Sequence, residues 1–173
     1  MRKIAVFGKP GSGKSTLSKA LASATGIPLH QLDSIVYKKN GELVDRQTYD
    51  EAHEAILSSD SWIIDGFGPM DSFNQRLNAA DTLVYIDLPY LTSYWFVTKR
   101  LLKGLVAKPE GWPDGSSVLK GTLESYKVLR LCPKFWNADF RGRLEKLSAD
   151  KSIHIVKSVS ELDTFITGVR SSF

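Results

Sequence analysis

The stretch GKPGSGKST at residues 8–16 holds the residue types that binding a nucleotide phosphate requires. Its glycines allow a tight turn whose backbone N–H groups point inward, towards an anion. Lys14 would place a compact positive charge on the β and γ phosphates, and the Ser15 hydroxyl would ligate Mg²⁺. The pattern predicts an ATP and Mg²⁺ site made of one continuous segment: Gly8, Lys9, Pro10, Gly11, Ser12, Gly13, Lys14, Ser15 and Thr16.

Two aspartates, Asp33 and Asp65, each end a short apolar run, HQLD and WIID. Ligands of open α/β folds bind at the carboxyl edge of the sheet, so we expect both carboxylates there. Asp65 is a candidate to hold a Mg²⁺-bound water or to orient an acceptor hydroxyl, and Asp33 to act as its base. Turn capping is the alternative for each, and for Asp87, which ends another run, it explains the pattern equally well.

Positive charge is concentrated between Lys99 and Lys146, where eleven Lys or Arg accompany five Asp or Glu. Phosphoryl transfer requires cations around the equatorial oxygens and exclusion of water, and a segment carrying Arg100, Arg141 and Arg143 would supply both. Two residues apart on a helix, Arg141 and Arg143 cannot both point the same way without local distortion or a position near the helix end, so a bystander role is the alternative for one of them. Charge alone does not distinguish such a lid from a nucleic-acid patch or a solvated helical face.

The composition is that of one ordinary globular domain: 173 residues, 42% hydrophobic and 24% charged. The chain has no apolar run of membrane-spanning length, and the run at residues 4–7 is too short for the core of a signal peptide. We therefore expect a cytoplasmic protein. The single cysteine, Cys132, excludes an intramolecular disulfide and a cysteine-based metal site, and it is interpreted as a small core residue.

Five short apolar runs predict the strands: RKIAVFG, IPLHQLD, SWIIDG, DTLVYIDLP and SIHIVK. The helix after the first strand begins near Lys14. Capping boxes formed with Glu51 and Glu161 predict helix starts at Thr48 and Ser158. Because strands alternate with helices, the fold class is α/β, a three-layer sandwich with a mainly parallel sheet.

Two further helices are predicted between the fourth and fifth strands. Helical spacing places apolar and aromatic residues on one face of each: Tyr94, Thr98, Leu101, Leu102 and Leu105 on the first, and Trp136, Phe140, Leu144 and Leu147 on the second. The stretch AKPEGWPDGSS between them breaks regular structure. Trp95 and Trp136 fit core positions better than base-stacking positions, and Trp112 fits neither.

Absent motifs narrow the class of nucleotide-binding protein. The sequence contains neither the Asn-Lys-x-Asp guanine reader of GTPase switches nor the Ser-Gly-Gly-Gln signature of transporter ATPases. The chain is also too short for a motor with large accessory elements. A kinase acting on a small molecule or nucleotide is the class that remains.

Six segments together resemble the adenylate kinase related P-loop kinases, in particular the small branch labelled DNA topology modulation proteins: GKPGSGKST, HQLD, WIIDGF, ADTLVYIDLP, TKRLLKG and FRGRL. The resemblance implies a P-loop NTPase sandwich with a five-stranded parallel sheet in the order 2-3-1-4-5. It also implies a single kinase domain over residues 1–173, with an acceptor-binding segment between strands two and three and a helical lid insertion at about residues 99–146.

The resemblance also suggests roles by position. Asp65 and Gly66 match the Asp-Gly of the adenylate kinase motif DGFPR, Arg141 and Arg143 match its paired lid arginines, and Arg100 matches the arginine that lies against adenine.

This chain departs from that pattern on the acceptor side. DGFGPM lacks the arginine of DGFPR, and the segment at residues 36–61 contains Arg46 but no second arginine to clamp an acceptor phosphate. Arg76 on the next helix is a candidate replacement. These departures argue against AMP and favour a nucleoside or another hydroxyl compound as acceptor.

The sequence thus predicts an ATP-dependent phosphotransferase that acts on a small acceptor and does not bind a membrane. The alternative is an ATP-binding, nucleic-acid-associated regulator with little transfer activity.

Overall fold

A computed structural model describes residues 1–36, 42–104 and 118–172. Within these ranges five strands form one parallel sheet in the order β2-β3-β1-β4-β5, which confirms the predicted topology. The strands are β1 Lys3–Gly8, β2 Leu29–Gln31, β3 Trp62–Asp65, β4 Thr82–Ile86 and β5 Ser152–Val156.

Helices follow the strands along the chain, as the alternating pattern predicts. Their bounds are α1 Lys14–Thr25, α2 Leu32–Val36, α3 Arg46–Ser58, α4 Met70–Ala79, α5 Tyr90–Gly104, α6 Val118–Phe135, α7 Ala138–Leu147 and α8 Val159–Ser172. None of the helices described is long and apolar enough to cross a membrane.

The central strands are buried on both faces, which explains why their sequences lack polar alternation. Ile4 and Val6 of β1 point into a core formed with α1 and α8. Ala5 and Phe7 point to the opposite face, where α3, α4 and α7 contribute apolar side chains. The sheet therefore lies between two helical layers, and the three-layer prediction is confirmed.

The two predicted helix starts have different outcomes. At α8, Ser158 Oγ accepts from the Glu161 N–H at 3.1 Å, so the helix begins directly after Ser158, as expected. At α3 the predicted N-cap, Thr48, is three residues late, since Asp45 is the N-cap and its carboxylate accepts from the Thr48 N–H at 2.9 Å. Asp45 has the extended backbone that an N-cap requires, and its carboxylate satisfies a free N–H group of the first turn, so Thr48 lies inside the helix.

Three helices of the described residues, α5, α6 and α7, lie between β4 and β5, where the sequence predicted two, and α5 and α6 pack against each other. The hydroxyls of Thr98 and Tyr126 lie 2.7 Å apart, and the rings of Tyr94 and Tyr126 are 5.7 Å apart. Leu102, predicted for the packed face of α5, is instead 55% exposed. The breaker AKPEGWPDGSS, together with Leu105 and Trp112, lies outside the described residues.

The tryptophans predicted for the core divide into one correct and one wrong case. Trp136 is 8% exposed and lies between α6 and α7, with its ring 4.9 Å from that of Phe140 and 5.2 Å from that of Tyr85. Trp95 is 58% exposed on α5. Helical spacing alone does not reveal which face of a helix a neighbouring element covers.

Replacing Trp136 by alanine is expected to lower the free energy of unfolding by roughly 3–5 kcal/mol, because the cavity removes contacts with several rings. Trp95→Ala is the matched control and should change it by less than about 0.5 kcal/mol. Urea unfolding of both variants measures the difference. Equal losses would contradict the assigned core.

Candidate active site

The turn between β1 and α1 depends on glycines with positive φ. Gly11 has a φ of 68°, and a Cβ there would lie 2.6 Å from the Ser93 carbonyl oxygen and 2.8 Å from Val97 Cγ2. At Gly8, with a φ of 149°, a Cβ would lie 2.3 Å from the Ile86 carbonyl oxygen. Since α5 and the end of β4 press on this loop, a side chain at either position would force it open.

The loop presents the polar groups that a triphosphate would need. Ser12 is fully buried, and its Oγ has no hydrogen-bond partner among the described residues. Lys14 donates from Nζ to the Lys9 carbonyl oxygen at 2.8 Å. Burial lowers the pKa of Lys14, and the nearby carboxylates of Asp65 and Asp33 act in the opposite direction. An unsatisfied buried hydroxyl beside a lysine and a helix N-terminus fits a phosphate group.

Asp65 lies at the end of β3, directly beside the loop, and is 5% exposed. Its Oδ1 has no hydrogen-bond partner in the described structure. Burial raises the pKa of the Asp65 carboxyl, whereas neighbouring Lys14 and Ser15 lower it. A carboxylate oxygen and a serine hydroxyl side by side are ligands that Mg²⁺ accepts, so the residues fit that ion.

Asp33 is in the site but not where the sequence places it. Strand β2 ends at Gln31, and Asp33 lies exposed in the first turn of α2. The turn into α2 comes early because Leu32 is 2% exposed and packs into the core. Asp33 still lies near the loop, since its charge raises the pKa values of both Lys14 and Asp65.

Arg100 of α5 lies near Lys14 and Asp33. It donates from Nη2 to Ser125 Oγ of α6 at 3.0 Å. Burial lowers its pKa, and the carboxylate of Asp33 acts against that shift. The structure thus gathers Lys14, Asp65, Asp33 and Arg100 within electrostatic range of one another.

Arg141 and Arg143 of α7 point in different directions, as their spacing predicts. Arg141 donates from Nη2 to Asp87 Oδ2 at 2.9 Å, at the carboxyl end of β4. Arg143 donates from Nη1 to Asn74 Oδ1 of α4 at 2.7 Å. The two arginines therefore do not form one paired clamp in this conformation.

Sequence reasoning missed the partnership between Asp87 and Lys9. The Lys9 ammonium donates to Asp87 Oδ1, and the lysine side chain is 2% exposed. It also lies 4.8 Å from the centre of the Tyr90 ring. A lysine inside a glycine-rich loop would ordinarily be assigned to the surface, so only the strand-end position of Asp87 offered a signal.

The arginines proposed for the acceptor side are both occupied. Arg46 is exposed and paired with Asp50 at 2.7 Å. Arg76 is 1% exposed, donates from Nη2 to the Phe67 carbonyl oxygen, and has Nη1 3.3 Å from His53 Nε2. Through its hydrogen bond to the Phe67 carbonyl oxygen, Arg76 stabilises the turn that follows Asp65.

These features define a class of fold. A parallel sheet in the order 2-3-1-4-5, a glycine-rich loop entering α1 and a carboxylate ending β3 together constitute the P-loop kinase fold.

Solved structures with this fold cover nearly the whole chain. A shikimate kinase from Acinetobacter baumannii, in complex with shikimate, is 14% identical, with a TM-score of 0.58 over 98% of this chain and 90% of that one. A gluconokinase from Sinorhizobium meliloti 1021 is 18% identical, with a TM-score of 0.53 over 98% and 90%. A shikimate kinase from Bacteroides thetaiotaomicron is 15% identical, with a TM-score of 0.52 over 98% and 96%.

Sequence comparison gives a local match. A segment of 68 residues is 41% identical to part of the pentafunctional AROM polypeptide of Scheffersomyces stipitis, covering 36% of this chain and 4% of that polypeptide. No protein-family model matches the sequence. The likenesses to solved structures show the fold.

The contact between His53 and Arg76 predicts a pH dependence of stability. Burial and the Arg76 guanidinium lower the pKa of His53 to about 4. The unfolded chain therefore binds this proton at higher pH than the folded protein, and the free energy of unfolding falls as pH decreases from about 6.5 towards 4.

Between pH 7 and pH 5 the free energy of unfolding should fall by about 1–2 kcal/mol less in His53→Gln than in the unchanged protein. Urea unfolding at both pH values measures the slope, so any constant cost of the substitution cancels. An unchanged slope would show that His53 titrates alike in the folded and unfolded states.

Proposed function

We propose that this protein is an ATP- and Mg²⁺-dependent phosphotransferase that transfers the γ-phosphate to a hydroxyl group of a small molecule. One observation carries the proposal: the loop bearing Lys14 and Ser15 lies directly beside the buried carboxylate of Asp65. Phosphoryl transfer consists mainly of positioning and charge stabilisation, and this arrangement offers both.

The loop would bind the phosphates through backbone N–H groups and the Ser12 hydroxyl. Lys14 would move its ammonium group from the Lys9 carbonyl oxygen to a phosphate oxygen. Ser15 and Asp65 are the residues that would hold Mg²⁺. Held there, Mg²⁺ would supply positive charge that offsets the negative charge of the phosphate during transfer.

The acceptor would lie on the side of Asp33. Because Asp33 is exposed beside Lys14 and Asp65, it can accept a hydrogen bond from an incoming hydroxyl and take its proton. Two fold neighbours are a shikimate kinase and a gluconokinase. They support a small acceptor, and the adenylate kinase resemblance keeps nucleosides and nucleotides among the candidates.

Residues 99–146 would act as a lid within a single domain over residues 1–173. Arg100, Arg141 and Arg143 are its candidate phosphate-binding and catalytic cations. Arg100 is within electrostatic range of Asp33, and Arg141 donates to Asp87. Both aspartates lie beside the loop at residues 8–16. For Arg143 a catalytic role requires it to leave Asn74 when the lid closes.

A nucleic-acid-associated regulator is the second candidate, as the label of the DNA topology modulation branch suggests. Exposed cations on α6 and α7, such as Arg130, Lys134 and Lys146, favour it. Such a protein would bind DNA with an affinity that falls steeply with salt concentration.

The first experiment incubates the protein with Mg²⁺, ATP and single acceptors: shikimate, gluconate, nucleosides, nucleoside monophosphates or buffer alone. We expect one acceptor class to yield a phosphorylated product by chromatography, and Lys14→Ala to abolish it because the phosphates lose their cation. Slow ATP hydrolysis without acceptor product, together with salt-dependent DNA binding, would contradict the kinase and favour the regulator.

Asp65→Asn should lower kcat by about a hundredfold or more and raise the Mg²⁺ concentration needed for half-maximal activity, because it removes a charged oxygen ligand. Asp60→Asn, an exposed aspartate just before β3, is the matched control and should leave both unchanged. Without an identified acceptor, ATP hydrolysis serves as the readout. A normal Mg²⁺ requirement in Asp65→Asn would rule out the proposed role.

A further inference from the structure

Asp87 joins two parts of the molecule that are distant in sequence. It follows β4, which pairs with β1, so its carboxylate lies beside the start of the phosphate loop. Oδ1 accepts from the Lys9 ammonium, 78 residues away, and Oδ2 accepts from Arg141, 54 residues away. Each oxygen therefore holds a different cation.

The Lys9 side of this bridge is buried. The Lys9 side chain is 2% exposed and that of Asp87 11%, so the Lys9 charge depends on Asp87 for compensation. The backbone carbonyl oxygen of the same lysine accepts a hydrogen bond from the Lys14 ammonium at 2.8 Å. A single residue of the loop thus contacts both Asp87 and the lysine proposed to bind phosphate.

The Arg141 side is open to solvent. Its side chain is 58% exposed, and the contact with Asp87 uses one nitrogen of the guanidinium. A guanidinium has five N–H donors in a planar fork, so the others can reach a second anion without releasing Asp87. Arg143, two residues along the same helix, is bonded to Asn74 and does not touch this carboxylate.

We propose that Asp87 is a positioning residue that holds Arg141 over the phosphate loop before the nucleotide arrives. The inference rests on the proposed function. An arginine that is already ordered loses less rotamer entropy when it binds a phosphate, so the carboxylate increases its contribution to ATP affinity. The buried Lys9 keeps Asp87 itself in place beside the loop.

A double-mutant cycle between Asp87 and Arg141 tests this, with the dissociation constant of MgATP measured by isothermal titration calorimetry. Arg141→Gln should weaken binding about tenfold in the otherwise unchanged protein and less than about twofold in Asp87→Asn. Arg143→Gln is the matched control, and its effect should be the same factor in both backgrounds because it does not contact Asp87.

Asp87→Asn leaves the Lys9 charge buried without its partner, and that variant alone can lose its fold. The cycle is therefore repeated in Lys9→Met/Asp87→Asn, where both charges are removed, with thermal unfolding to show that each protein is folded. Loss of the Arg141→Gln effect in this background as well supports the proposal.

Two results would overturn the inference and are distinguishable. If Arg141→Gln weakens MgATP binding by the same factor with and without Asp87, the arginine needs no positioning, and the proposed function stands. If the unchanged protein binds no MgATP at all, the proposed function fails and the inference fails with it.

Discussion

Parallel pairing of β1 with β3 on one side and β4 on the other is the constraint on which the rest of the structure depends. It aligns Val6 with Asp65 and Gly8 with Ile86, so three strands end at one edge of the sheet. The phosphate loop leaves β1 there, with Asp65 on one side and Asp87 on the other. Since β1 is central and buried from Ile4 to Gly8, the loop is anchored in the core of the sheet.

Buried charges around this edge are compensated in two different ways. Lys9 is paired with Asp87, so one charge neutralises the other. Arg76 has no carboxylate within ion-pairing distance in the described residues; its guanidinium donates to the Phe67 carbonyl oxygen and lies beside His53. A delocalised guanidinium tolerates such neutral partners better than a compact ammonium does. Arg76 consequently supports the turn after Asp65, whereas Lys9 links the loop to Asp87 at the end of β4.

The comparisons show how far the sequence of this fold can vary. Solved kinases at 14% and 18% identity match 98% of the chain, which shows how little of the sequence the fold itself fixes. What the fold requires is apolar strands, glycines where helices press on the loop, and oxygen donors at strand ends.

The sequence by itself determined the loop, the five strands and the diverging arginines of α7, because each depends on neighbouring residues. The family resemblance supplied the strand order. Only the tertiary structure decided that Trp136 is buried while Trp95 is exposed, that Asp33 begins a helix, and that Lys9 is buried against Asp87. Those outcomes depend on contacts between residues up to 78 positions apart, which no local pattern records. Packing of separate elements against one another, not local preference, set those positions.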